Sequence, residues 1–166
     1  MSNVWFTSDL HFEEDNIAKH RNFGDTKEEH DEHIIDNINS FVRKRDKLFI
    51  LGDVARSIAG LPKLGRLNGV KELIIGNHDN LATERYLEHV IKVHGFRRYK
   101  KFWLTHCPVH PQEIYRCRGN IHGHLHNGAA TPPLPYPYFN VNLDYNSGYP
   151  VSLEIIQEWF DNFESE

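Results

Sequence analysis

Sulfur is scarce in this chain of 166 residues, which has one methionine and two cysteines, Cys107 and Cys117. Two cysteines make no disulfide framework, so free thiols and a reducing, cytoplasmic setting are expected. Apolar runs are short as well. None approaches the roughly 18 residues that cross a bilayer, and Met1 to Thr7 lack the charged region and long apolar stretch of a signal peptide. No membrane association is expected. A basic surplus is also missing. The net charge of −4 argues against stable binding of nucleic acid, whose phosphates call for a basic face. No internal repeat or low-complexity linker divides the sequence. A single domain, residues 1–166, long enough to bury its own core, is the expectation.

Histidine, by contrast, is plentiful at twelve, and the positions of these residues matter more than their number. Val4 to Asp9 reads as a first strand ending in polar residues. Leu48 to Leu51 is a second, closed by Gly52-Asp53. Lys71 to Ile75 is a third, followed by Gly76-Asn-His-Asp79. Phe102 to His106 and Gly119 to His122 read as further strands, the latter leading into Gly123-His-Leu-His126, and Phe139 to Leu143 alternates as a strand should. Between them, Thr26 with Glu29 forms a capping box ahead of a helical stripe of Ile34, Ile35, Ile38, Phe41 and Val42. Ile58, Leu61, Leu64 and Leu67 mark a short helix with Pro62 early and Gly69 just past its end. Thr83 to His94 is expected to be one helix, capped by Thr83 and stopped by Gly95, with Leu87, Val90 and Ile91 inward. Ser152 caps a last helix bearing Ile155, Ile156, Trp159, Phe160 and Phe163. His20 to Asp25 reads as a loop and Thr131 to Tyr138 as a stiff, proline-rich one. Arg43 to Lys47 is a solvated helix end. Arg97 to Lys101 is a solvated basic edge, or else a patch contacting phosphate. The strand–helix alternation predicts an α/β domain.

Polar residues collect where the strands end, namely Asp9, His11, Asp53, Asn77, His78, His106, His124 and His126. Open α/β sheets bind ligands there. Asp9-x-His11 alone reads more readily as a helix-capping aspartate and a solvated histidine, but residues two apart in an extended chain share a side, as do His124 and His126. Carboxylate, amide and imidazole donors together suit hard or borderline divalent ions. Such a set exceeds the four ligands of a structural zinc site and suits two ions that clamp a phosphate ester.

In order, Asp9-x-His11, Gly52-Asp53, Gly76-Asn-His-Asp79, His106 and Gly123-His-x-His126 resemble the motifs of the calcineurin-like metallophosphoesterases, over residues 9–126. The small bacterial and phage-type members without accessory domains are the most similar, also in Phe6-Thr-Ser-Asp-Leu-His-Phe12 and Phe139-Asn-Val-Asn142. The resemblance implies two facing β-sheets flanked by helices, a four-layer sandwich. It implies one metal on Asp9, His11 and His126, another on Asn77, His106 and His124, and Asp53 bridging. The ions would be Mn, Fe, Zn or Ni, with Mn favoured. A hydroxide held by the ions would attack the phosphate ester. His78 would stabilise phosphoryl charge or protonate the leaving oxygen, and Asp79 would orient it. The chain departs from the phosphoprotein-phosphatase pattern after Gly52-Asp53, so a small phosphodiester is the expected substrate. It also has Glu13-Glu14 where small relatives often carry Gly-His. Asn16, Arg21 and Arg56 are substrate-side candidates. A nuclease and a catalytically silent metal-binding scaffold are the alternatives.

Overall fold

In the computed structural model, which describes residues 2–126 and 137–163, alternation within short strands decides which core each apolar side chain joins. Strands β1 (Val4–Thr7), β2 (Lys47–Ile50) and β3 (Val70–Ile74) run parallel, with Phe6 opposite Phe49 and Ile50 opposite Leu73. Strand β4 (Lys92–His94) continues the sheet beside β3. A second sheet is ordered β5 (Arg97–Tyr99), β6 (Phe102–Leu104), β7 (Gly119–His122) and β8 (Tyr138–Asn140). The short β9 (Val151–Ser152) pairs antiparallel with β1 and closes the first sheet.

Leu48, Ile50 and Leu73 face one side of the first sheet. There they meet Ile34, Ile35 and Ile38 of α2 (Lys27–Phe41), Leu61 and Leu64 of α3 (Leu61–Arg66) and Tyr86 of α4 (Thr83–Leu87). Phe6, Phe49, Leu51 and Ile74 face the other side and join Phe102, Leu104 and Ile121 of the second sheet. The rings of Phe49 and Tyr99, 4.7 Å apart, link the two sheets. Phe160 of α5 (Leu153–Phe163) completes this second core, packed on Phe102 at 4.8 Å. The result is an α/β fold of two sheets flanked by helices.

The capping box forms as expected, Glu29 N–H donating to Thr26 Oγ1 at 3.2 Å and Thr26 N–H to Glu29 Oε2 at 3.3 Å. Ser152 Oγ likewise accepts from Ile155 N–H at 3.3 Å at the start of α5. Phe41 and Ile58 leave their expected stripes and are 48% and 57% exposed. Phe41 lies instead against Trp5 and Tyr149, and Ile58 opens a 3-10 turn ahead of α3.

The expected Thr83–His94 helix is corrected. It stops at Leu87, its N-cap is Ala82, and Leu87 and Ile91 are exposed while Val90 is buried. Ile91 N–H donates to Lys71 O at 2.9 Å, and the β-branched Val93 continues as a strand on β3, whose edge would otherwise lack a partner. The basic edge is half corrected, because Arg97 is ion-paired to the buried Glu72 across the sheets. Helix α1 (Asp15–His20), β9 and the β4–β3 pairing lay outside the sequence reading. The expected proline-rich loop falls, through residue 136, outside the described residues. Both cysteines carry free thiols. No described helix is long and apolar enough to cross a membrane.

Candidate metal centre

Beyond their last sheet residues, the chains leaving β1 and β2 stay in tandem. Asp9 N–H donates to Gly52 O at 2.9 Å and His11 N–H to Asp53 O at 3.0 Å. This pairing holds Asp9, His11 and Asp53 in left-handed backbone, at φ 58°, 51° and 54°, and His124 joins them at 69°. Such angles are uncommon outside glycine and gather where side chains must be aimed at a site. Two glycines let the loops close up. A Cβ on Gly76 would overlap Asp53, and one on Gly123 would overlap Ser8 Oγ and Asp9 Oδ2.

Asp9, His11 and His126 each offer a donor atom within 4.8 Å of the others. The Asp9 carboxylate accepts from Ser8 Oγ–H at 2.6 Å and from the His124 N–H. His11 donates Nδ1–H to Glu14 at 3.0 Å. Its Nε2 is buried, lacks a hydrogen-bond partner among the described residues and lies 3.8 Å from Asp53 Oδ2. His126 donates Nδ1–H to Asp144 at 2.7 Å, and its Nε2 lies 3.6 Å from Asp9. That bond to Asp144 raises the His126 pKa despite burial.

Lone pairs crowd the neighbouring position. His106 Nδ1–H donates to the Leu51 carbonyl at 2.7 Å, which leaves Nε2 bare. Around that Nε2 stand Asn77 Oδ1 at 2.9 Å, Asp53 Oδ2 at 3.2 Å and His124 Nδ1 at 3.2 Å. Asn77 Oδ1, Asp53 Oδ2 and the bare His106 Nε2 are all acceptors, which repel at these distances unless a proton or a cation sits among them. Burial lowers the His106 pKa, but the Asp53 and Asp9 carboxylates outweigh it and the value is raised. Burial and the charge on His106 push His124 down. Asp53 is held at about 2. Burial opposes this, and the His106 bond and the His78 N–H, at 2.8 Å, overcome it. Asp53 therefore lies between the two donor groups, and Asp9 with Asp53 and His106 forms a third set within 4.8 Å. An orphaned imidazole nitrogen and converging lone pairs fit divalent cations.

His78 sits at the rim, with Nε2 3.9 Å from Asp53 Oδ2. It accepts at Nε2 from Arg56 at 3.2 Å, because a guanidinium only donates. Asp79 does not orient it, which corrects that expectation. The Asp79 carboxylate accepts instead from the backbone N–H groups of Asp53 at 2.8 Å, Val54 at 2.8 Å and Gly76 at 2.9 Å. It pins the two strand-end loops together.

The sequence reading missed two carboxylates behind the cluster. Glu14 joins His11 to Arg56 Nε, the latter at 3.3 Å. Asp144 joins His126 to Arg21 Nε at 2.5 Å and is held at about 2, as the His126 bond and Arg21 charge overcome burial. Their signals were present. Glu14 stands three residues after His11, and Asp144 follows the alternating Phe139–Leu143, another strand ending in a carboxylate. Arg21 is 6% exposed and tied to Asp144, so it supports His126 more directly than any substrate. It still lines a cleft of about 460 Å³ with Ile17, Phe23, His126, Asp144 and Ser147. Asn16 is exposed on α1 and is not part of that lining.

No known protein-family model matches the chain. An uncharacterized protein, MJ1445, of Methanocaldococcus jannaschii is 33% identical over 169 residues, covering 94% of this chain and 90% of the relative. The chain belongs to the same family as that archaeal protein. The Gene 66 proteins of Mycobacterium phages L5 and D29 are 42% and 43% identical over 84 residues, 48% of this chain. The chain spans 41% of the length of each phage relative. Among solved structures, a protein of unknown function from Aquifex aeolicus, AQ665, shares the fold, with TM-score 0.78 and 23% identity over 96% of this chain and 100% of that one.

Proposed function

We propose that the protein is a dinuclear metal-dependent phosphoesterase acting on small phosphodiesters, its two sheets forming the four-layer metallophosphoesterase sandwich. One observation carries the reading: the partnerless, buried Nε2 of His11 beside the convergence of Asp53, Asn77, His124 and His106 lone pairs. On this reading Asp9, His11 and His126 hold one ion, Asn77, His106 and His124 the other, and Asp53 lies against both. Bound divalent ions, manganese in first place, supply Lewis acidity and an activated water.

The chain's own groups do the rest. Glu14 and Asp144 fix the ring orientation of His11 and His126 and keep each Nε2 available as a donor. Arg56 and His78 stand together at the rim, placed to meet phosphoryl oxygens. Because Nε2 of His78 already accepts from Arg56, the pair offers positive charge there and no transferable proton. This supports charge stabilisation over protonation of the leaving oxygen. The neighbouring cleft, with Ile17 and Phe23 as an apolar wall, suits a small organic ester group.

The test is reconstitution of the metal-free protein, with metal analysis beside cleavage of bis(p-nitrophenyl) phosphate. Two bound manganese ions and turnover are expected. Two ions without turnover in Mn, Fe, Zn or Ni would leave a scaffold, and failure to bind any ion would remove the metal centre altogether.

A further inference from the structure

Cys107 is the donor that this ligand scheme leaves unused. Its Sγ and a ring nitrogen from each of His106 and His124 all lie within 4.8 Å of one another. Consecutive residues of a strand face opposite ways, yet here both side chains reach one place, because β6 has ended and the chain bends. Thr105 Oγ1–H donates to the Cys107 carbonyl at 2.6 Å, and Pro108 confines the backbone of the residue before it. Asn77, His106 and Cys107 thus line one groove of about 400 Å³. The thiol is in no disulfide and open to solvent, so the sulfur is available as a donor.

At this position a hard donor and a soft one compete. Asn77 Oδ1 is 2.9 Å from His106 Nε2, and the thiol stands within reach of the same ring and of His124. We propose that His106, His124 and Cys107 form a second, thiophilic seat for the ion assigned to Asn77, His106 and His124, selecting zinc-class metals over manganese. The inference rests on the metal-centre reading above. Amide and carboxylate oxygen suit manganese, whereas thiolate with imidazole suits zinc and cobalt. Two imidazole nitrogens and one sulfur leave a single tetrahedral position, the coordination zinc favours. Binding releases the thiol proton to solvent. The thiolate charge then offsets part of the charge of the ion, so zinc seated there is a weaker Lewis acid than manganese on the neutral Asn77 oxygen. Zinc-loaded protein should turn over more slowly than manganese-loaded protein, and Cys107→Ser should narrow that gap.

Cobalt(II) supplies a readout that does not depend on activity, since sulfur ligation adds an intense near-ultraviolet charge-transfer band that nitrogen and oxygen ligands lack. The full chain, Cys107→Ser and Cys117→Ser would each be titrated with cobalt, and zinc affinity measured by competition with a chromophoric chelator. The band is expected in the parent and in Cys117→Ser and absent in Cys107→Ser, which should still bind two cobalt ions. Zinc should weaken in Cys107→Ser by more than the about 10–100-fold that loss of an outer partner costs. Two bound cobalt ions without the band, or a band that survives Cys107→Ser, would overturn the thiolate seat while leaving the metal centre standing. A parent protein that binds no cobalt would overturn both.

Discussion

The His126 Nδ1–H donates to Asp144 Oδ2 at 2.7 Å, and Asp144 Oδ1 in turn accepts from Arg21 Nε–H at 2.5 Å. A carboxylate and a guanidinium therefore fix which nitrogen of His126 faces Asp9. Arg21 reaches on through Nη1 to His30 Nε2 at 3.5 Å, and His30 to Asp31 at 2.8 Å, so the support extends into the buried side of α2.

Removing that support should be felt by one ion. Asp144→Asn keeps the shape but loses the charge, and is expected to weaken the ion on Asp9, His11 and His126 by about 10–100-fold. The ion on Asn77, His106 and His124 should be nearly unaffected. Metal competition with stoichiometry read separately for each site checks this, and equal weakening of both ions would contradict it.

The same carboxylates set an acid limit. Asp53 and Asp144 have folded pKa values of about 2 against about 3.9 unfolded. A depressed folded value means stability that is complete above the unfolded pKa and lost as pH falls through the folded one. Urea unfolding of the metal-free protein should therefore weaken between about pH 4 and pH 2. Asp144→Asn should flatten that dependence, by an amount on the order of 2 kcal/mol across the window. An unchanged pH slope in the variant would refute the assignment.

Arg56 and the His78 that holds it should act as one unit on phosphoryl charge. His78→Ala and Arg56→Ala are each expected to retain both ions and to lose about 10²–10³-fold in kcat, the scale of a deleted oxyanion donor. The loss should be similar for esters with good and poor leaving groups. A defect confined to the poor leaving group would instead show that His78 donates a proton.

Gly123→Ala should disturb Asp9 without replacing any ligand residue. The new Cβ overlaps Ser8 Oγ and Asp9 Oδ2, and overpacking of this kind costs about 1–3 kcal/mol. A lower melting temperature together with loss of the ion on Asp9, His11 and His126 is expected. Normal metal content in the variant would show that the Ser8–Asp9 pair moves aside freely.

The first sheet was legible in the sequence because its buried parallel strands are short apolar runs closed by glycine and polar residues, as at Leu48–Asp53 and Leu73–Asp79. The same punctuation brought Asp9, Asp53, His106 and His124 to notice, and the structure gathers them. What misled was local. Leu87, Val90 and Ile91 mimic a helical stripe, yet the open edge of β3 recruits residues 92–94 into the sheet. A pattern at short range carries no information about an edge made elsewhere. Asp79 misled for a related reason. Adjacency to His78 proposed a bond between their side chains, whereas two of the three backbone N–H groups around Asp79, those of Asp53 and Val54, come from a loop that only the fold brings near. Glu14 and Asp144 were missed because their roles depend on where an imidazole's other nitrogen points.

Donors from the first sheet's loops, Asp9, His11, Asp53 and Asn77, meet donors from the second, His106, His124 and His126, across a boundary built from long sequence separations, such as the 115 residues between Asp9 and His124. Neither sheet alone carries the complete set. Ions held by the finished set would stabilise only states in which both sheets have docked, and are expected to act chiefly on the unfolding rate. Metal bound there would thus be a latch on the docked sheets, its strength read as the lifetime of the native state.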